Sequence, residues 1–432
     1  MTNDQGQMTK QIPRWLKQLL MIGGLLAAIP GALVATGFLC GGLVAVVDGA
    51  DDFVGPAIAL LLAAIALLGG GGALFLHGMR SAGGKASTPM RLWPVWALFG
   101  LFGLALAIGL FVEDTFAAAL IFPPALIAAA ALPPLAAVSW FSRRQTKGFT
   151  WRRASLAFTG GGTVGVFVAI ALEILLPLFV VALAFSVPGL VMDRLEDLLD
   201  ALAGEDLSSA VTSGGFIYLM VQVAIIAPLA EEIAKPLAIL PLANRLSRRQ
   251  AFLVGAMAGA GFAALENIMY AGFGFAFWAG ILAIRAPGAA IHPLGAGLMT
   301  LAWRDVMRRE PGAWRGWVAR FGLAAGMHAL WNGGSLLVLT LAGAKFFGPE
   351  PAEIDVPGLS AGGTTLALLL ILGLLALWLG RATAQQLLAG EEPLKLRPTE
   401  FEISDRAMAI WGLACLVAIV PAGIAGLQLV VW

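Results

Sequence analysis

The stretch A-P-L-A-E-E-I-A-K-P, residues 227–236, places Glu231, Glu232 and Lys235 near the middle of an apolar run over 215–242. At bilayer depth even one charged side chain costs about 3 kcal/mol on the most lenient scale, so three in one helix require a reason. Helical spacing puts Glu231 and Lys235 four apart on one face, with Glu232 about 100° round from Glu231. Pro228 and Pro236 lack backbone donors, which frees the carbonyls of Ala224 and Glu232. The plain structural reading is an ion pair that holds helices together; the functional reading is a polar site inside a membrane bundle.

Working outward, the composition supports a membrane setting. Hydrophobic residues make up 59% of the 432-residue chain and charged residues 12%, with mean hydropathy +0.87. A soluble chain carries about 25% charged residues, so this is an integral membrane protein. Long unbroken apolar runs favour spanning helices over the alternating segments of a barrel. A net charge of +1 without a basic tail or zinc-knuckle spacing gives no support to nucleic acid as a partner. Cys40 and Cys415 lie in apolar runs near opposite ends of the chain and form no framework or metal motif.

Apolar runs at 18–47, 55–79, 94–112, 116–141, 157–187, 215–242, 251–272, 287–303, 317–342, 364–380 and 407–431 predict eleven spans. A short apolar piece ending at Arg285 reads as a half-helix. Basic loops, such as Arg143–Arg153, alternate with acidic ones, such as Glu350–Asp355, which predicts N-terminus in and C-terminus out. The expected architecture is an all-α, polytopic transmembrane helix bundle. It divides into a five-span accessory region (1–187), an amphipathic extramembrane segment (188–213), a four-span core (214–343) and a two-span region (344–432). Glu173 is the one carboxylate inside the first five spans, and His77 lies at the end of the second.

The four-span core gathers the polar residues. Gly255, Gly259, Phe262, Glu266 and Tyr270 recur at helical intervals, with Asn267 beside them, and Gly255-x-x-x-Gly259 admits a close neighbour. His292 precedes Pro293. His328 and Asn332 share a face, one turn after Gly322-x-x-x-Gly326. Counting about 1.5 Å per residue, Glu232 and His292 lie roughly 18 Å deep, Glu266 roughly 24 Å and His328 about 12–16 Å. A single histidine in a span is more often a packing residue; three carboxylates, a lysine, two of the three histidines and an asparagine in four consecutive spans make a stronger signal than any one of them.

These residues resemble a known family. E-E-I-A-K (231–235), F-A-A-L-E-N-I-M-Y (262–270), an isolated histidine in the next span and H-A-L-W-N (328–332) are similar to the PrsW family, related to the CAAX prenyl endopeptidase and bacteriocin-immunity superfamily. The likeness covers about residues 215–335. It implies a glutamate-dependent intramembrane peptidase, multi-pass in the inner (plasma) membrane of a bacterium, that cuts membrane-spanning proteins such as anti-sigma factors. The prenyl endopeptidases carry Glu-Glu-x-x-x-Arg and Phe-x-x-x-His, whereas here Lys235 stands one position earlier and Glu266 replaces that histidine. By the same resemblance Glu231 is the general base.

Peptide hydrolysis needs a base for water, an acid for the leaving amine and donors for the oxyanion. The expected catalytic set is Glu231, Glu232, Glu266, His292 and His328, supported by Lys235, Asn267, Tyr270 and Asn332, with no metal and no cofactor. A water shared by Glu231 and Glu266 would be activated between them, and His328 with Asn332 would donate to one oxygen. Three alternatives use the same residues: a noncatalytic scaffold or chaperone, a proton- or metal-coupled transporter, and a metal enzyme with Glu231, Glu266, His292 and His328 as ligands.

Overall fold

The computed structural model describes residues 90–112, 118–142, 150–185, 214–244, 246–273, 278–346 and 356–389, with Ile22, Gly72, Phe75, Leu76 and Met79 as isolated positions. Apart from those positions, the expected spans at 18–47, 55–79 and 407–431 lie outside them, as do segment 188–206, His77, Cys40 and Cys415. The regular elements are all helical: α1 (Val95–Val112), α2 (Ala118–Ser142), α3 (Trp151–Gly160, a π-helical turn Gly161–Gly165, then Val166–Phe185) and α4 (Gly214–Val221, a π-helical turn Gln222–Ile226, then Ala227–Ala234). After these come α5 (Leu240–Ala243), α6 (Arg248–Phe273), α7 (Trp278–Arg285), a 3-10 turn (Ala286–Ala290), α8 (Ile291–Met307), α9 (Ala313–Phe346) and α10 (Val356–Ala389). Six stretches of the described residues are long and apolar enough to cross a membrane: Pro124–Ser142, Arg153–Pro177, Phe216–Ala234, Arg248–Ala271, Trp278–Met307 and Gly363–Ala389. The expected half-helix is α7, which the 3-10 turn joins to α8 within one of these stretches.

Helix α6 is the centre of the bundle. It packs against α2, α3 and α8, and every residue from 251 to 264 is buried. Small side chains make that possible. A β-carbon on Gly255 would run into the Thr300 side chain and the Ala296 carbonyl, and one on Gly259 into the His292 carbonyl, so the expected small face does seat α8. Gly261 and Gly161 do the same for α3, against the carbonyls of Phe158 and Ala258. The Gly322/Gly326 pair behaves otherwise: a β-carbon on either would meet nothing within 4 Å among the described residues, so no described helix approaches α9 closely there. Gly259→Leu is therefore expected to cost about 1–3 kcal/mol through overpacking and to displace His292. Thermal unfolding of the purified protein checks this, and an unchanged Tm would mean that α6 and α8 are not seated backbone to backbone.

The two prolines of the opening stretch shape α4. Pro228 cannot donate, and the helix before it widens, with the Ala227 N–H donating to the Gln222 carbonyl. At Pro236 the helix ends. Lys235 N–H still donates to the Glu231 carbonyl at 2.8 Å, after which the ladder tightens to Leu237 N–H on the Ala234 carbonyl at 3.0 Å. Glu231, Glu232 and Lys235 thus occupy the last turn before a break.

The ends of α6, α8 and α9 are tied by charge. Ser247 and Gln250 cap α6 reciprocally, each side chain accepting the other's N–H at 3.2 Å. Buried Asp305 at the end of α8 receives Arg304 at 2.7 Å, Arg248 of α6 at 3.1 Å and Arg320 of α9 at 3.2 Å. The chain then turns sharply through Arg309 and Gly312, both at positive φ, into α9.

Candidate active site

Six ionisable side chains from four helical segments meet in one buried cluster: Glu231, Glu232 and Lys235 from α4 and the turn after it, Glu266 from α6, His292 from α8 and His328 from α9, none more than 7% exposed. The α6–α8 glycine seam sets His292 beside Glu266, and the α4 break turns Glu231 and Lys235 toward both histidines.

Lys235 is the counter-charge at the middle. Its ammonium lies 2.5 Å from Glu232 Oε1 and 3.1 Å from Glu231 Oε2, and it sits over the Phe262 ring at 4.7 Å. Gly295 of α8 leaves room for this arrangement: a β-carbon there would meet the Glu232 carboxylate.

Each histidine has one nitrogen against a carboxylate and the other toward Glu231. His328 Nδ1 lies 3.1 Å from Glu232 Oε1 and a longer 3.3 Å from the Lys235 ammonium. A carboxylate only accepts and an ammonium only donates, so Nδ1 carries a proton in its contact with Glu232 and a lone pair in its contact with Lys235. His328 Nε2 then faces Glu231 Oε2 at 3.7 Å. His292 mirrors it. Its Nε2 is 3.0 Å from Glu266 Oε2, tilted off the ideal hydrogen-bond line, and its Nδ1 is 3.8 Å from Glu231 Oε2. The two rings meet edge to face with centroids 4.6 Å apart, and Phe262 stacks on His292.

His292 therefore stands between Glu231 and Glu266, each carboxylate touching a different nitrogen of the ring. The sequence places a shared water between these two glutamates; the structure puts the His292 ring against both of them. Glu266 has a donor of its own, Arg285 Nη2 at 2.9 Å, and His292 Nε2 lies 3.0 Å from the same oxygen without a well-aligned hydrogen bond. Asn267 lies one layer out, accepting from Arg285 Nε at 2.7 Å and donating to the Ala130 carbonyl at 3.0 Å. Tyr270 carries the Arg285 guanidinium 4.1 Å above its ring. Asn332 does not join His328 at an oxyanion position. Its amide donates to the Val223 carbonyl at 3.2 Å, inside the π-helical turn of α4. Glu173 is half-buried on α3, outside the cluster but within electrostatic range of Glu266 and Lys235.

The donors that face the centre suit a metal. One atom each from Glu231, His292 and His328 lie within 4.8 Å of one another. Tetrahedral zinc, with bonds of about 2.0–2.1 Å, sets neighbouring donors roughly 3.3 Å apart; Glu231 Oε2 stands 3.7 and 3.8 Å from the two histidine nitrogens, and the set of three would have to draw together from within 4.8 Å. Glu231 Oε2, His292 Nδ1 and His328 Nε2 make no well-aligned hydrogen bond among the described residues. Glu232 and Glu266 hold the far nitrogens, as carboxylates do behind histidine ligands.

Sequence reasoning found the six clustered residues because charge in an apolar run stands out. It missed Arg285 and Gly295. Arg285 closes an apolar piece and precedes Ala-Pro, so it reads as a span boundary, and Gly295 is one of 54 glycines.

Residues 150–349 match the family model described as PrsW family intramembrane metalloprotease. The match runs from the cap of α3 into the segment after α9 and contains every residue of the cluster. Neither a curated protein nor a solved structure matches the chain.

Proposed function

We propose that this chain is a metal-dependent intramembrane endopeptidase acting on membrane-spanning proteins, with Glu231, His292 and His328 holding the metal. The observation that carries the reading is the convergence of these three buried donors on one point, with a carboxylate behind each histidine. A bound metal would polarise the scissile carbonyl and acidify a water. The chain's own residues do the rest. Glu232 and Glu266 hold protons on the outer histidine nitrogens, so the inner ones present lone pairs. Lys235 keeps the two glutamates of α4 in place. Burial excludes bulk water. Glu231 is the carboxylate with an oxygen turned to the centre, which in this reading makes it the third ligand beside the two histidines.

A second reading keeps the same residues without metal. The Lys235 ammonium lies 3.1 Å from Glu231 Oε2, and a cation so close opposes a second one. In that case a water sits among Glu231 Oε2, His292 Nδ1 and His328 Nε2, and Glu231 is the base of a glutamic peptidase. Metal analysis of the purified chain and cleavage of a single-pass reporter protein separate the two. The metal reading expects about one zinc per chain, and activity lost to a chelator and restored by Zn²⁺. Full activity in a metal-free preparation overturns it in favour of the glutamic mechanism.

Spanning helices resist cleavage because their amides are paired, so the substrate is a single-pass protein, of the anti-sigma-factor type, presented as an extended chain. The core over 214–343 carries the site. The N-terminus-in orientation and the eleven spans belong to this proposal; a reporter fused at 245–249 should read cytoplasmic, and an outside reading would reverse the orientation.

A further inference from the structure

Arg285, its side chain 11% exposed, is a charge that the reaction described above does not use. It is carried on α7, eight residues long, whose first residue Trp278 is buried against Phe122 of α2, ring centroids 5.0 Å apart. A β-carbon on Gly109 of α1 would strike the same indole. So α7 is pinned at one end by packing, and at the other its arginine reaches α6.

One edge of the guanidinium makes the contact. Nε donates to Asn267 Oδ1 at 2.7 Å and Nη2 to Glu266 Oε2 at 2.9 Å, so two consecutive residues of α6 are held by one planar group. Asn267 passes the restraint on to the Ala130 carbonyl of α2. The plane lies over Tyr270, one turn further along α6. A lysine, with a single ammonium, cannot hold both residues in this way. The oxygen fixed by Nη2 is the one that His292 Nε2 faces.

We infer that Arg285 is a positioning residue: by fixing Glu266 it keeps the His292 proton on Nε2 and the Nδ1 lone pair turned to the Glu231 side. The inference rests on the proposed active site, but its first readout requires no metal. Without Arg285, Glu266 is free to turn away from the ring, and nothing fixes which nitrogen of His292 carries the proton. An ion pair serving only to join helices would leave His292 unchanged once the fold was intact.

The test uses the full chain, purified and metal-stripped, at one fixed pH. The chain has three histidines, His77, His292 and His328, so nitrogen-15 labelling of histidine gives a readable spectrum, with His292 assigned through His292→Gln. The wild type is expected to show His292 protonated on Nε2. Arg285→Ala is expected to show a mixture of tautomers or the Nδ1-protonated form, and Arg285→Lys, which keeps the charge and protects the fold, an incomplete return. Zinc competition against a chelating dye then expects affinity about 10–100-fold weaker in Arg285→Ala. A wild-type His292 protonated on Nδ1, or a tautomer unchanged in both folded variants, overturns the inference. A wild type that binds no zinc while Arg285→Ala still shifts the tautomer overturns the metal reading instead and upholds the positioning role.

Discussion

Glu231→Gln is expected to lower cleavage of a single-pass substrate by about 10²–10⁴-fold, the usual cost of losing a proton-transfer group. Glutamine keeps the shape of the side chain but loses its charge, and its amide can turn N–H donors toward His292 Nδ1 and His328 Nε2, the nitrogens that Glu231 Oε2 now faces. Both readings of the site depend on this carboxylate, as ligand or as base. Glu232→Gln and Glu266→Gln differ because each acts through a histidine, at His328 Nδ1 and His292 Nε2. Their expected cost is about 10–100-fold, first in metal affinity and only then in rate. Rates measured side by side on purified variants give the ranking. Full activity in Glu231→Gln, or a Glu266→Gln loss as deep as that of Glu231→Gln, would remove Glu231 from the centre of the chemistry.

Lys235→Met is expected to produce the largest loss of stability, about 3–5 kcal/mol, the usual cost of breaking a buried pair from one side. Lys235 is fully buried and is shared by two carboxylates on the same helix. Methionine fills most of its volume and leaves Glu231 and Glu232 as adjacent, unneutralised charges. The double variant Lys235→Met with Glu232→Gln removes one of them and should recover part of the loss. Such recovery is the coupling expected of directly interacting groups. Thermal unfolding in detergent measures all three proteins. A single variant as stable as the wild type, or a double variant no better than the single, would show that the ammonium is not the counter-charge of this pair.

What could be read from the sequence divides along a physical line. A charged side chain in an apolar run is expensive wherever it sits, so Glu231, Glu232, Lys235, Glu266, His292 and His328 were visible before any fold. The Gly255/Gly259 stripe was visible for a similar reason, because small residues at helical spacing leave a groove. The groove alone does not say whether a neighbour fills it: α8 fills this one, while β-carbons added at Gly322 and Gly326 would meet nothing within 4 Å among the described residues. Asn332 was misplaced for a subtler reason. Its spacing from His328 suggested a shared task, but Pro228 opens a π-helical turn in α4, and Asn332 donates to that turn's Val223 carbonyl. Periodicity within one helix cannot report a carbonyl released in another. Arg285 shows the same limit: its partners lie 18 and 19 residues away in the chain, and only the return of α7 along α6 brings them together.

The glycine contacts of α6 also decide which parts of the molecule can yield when a substrate enters. Where Gly259 meets the His292 carbonyl and Gly161 meets Ala258, backbone touches backbone, and no side chain is available to change rotamer and open a gap. His292 and Glu266 thus belong to a stationary frame. Helix α4 meets its surroundings differently, turning large side chains such as Ile217, Ile225 and Leu229 away from the other described residues, and it contains a widened turn and a proline break. Glu231 rides on this helix. Admission of an extended chain would then shift Glu231 relative to the two histidines, and closure upon it would restore the site, so that chemistry begins only once the peptide is in place.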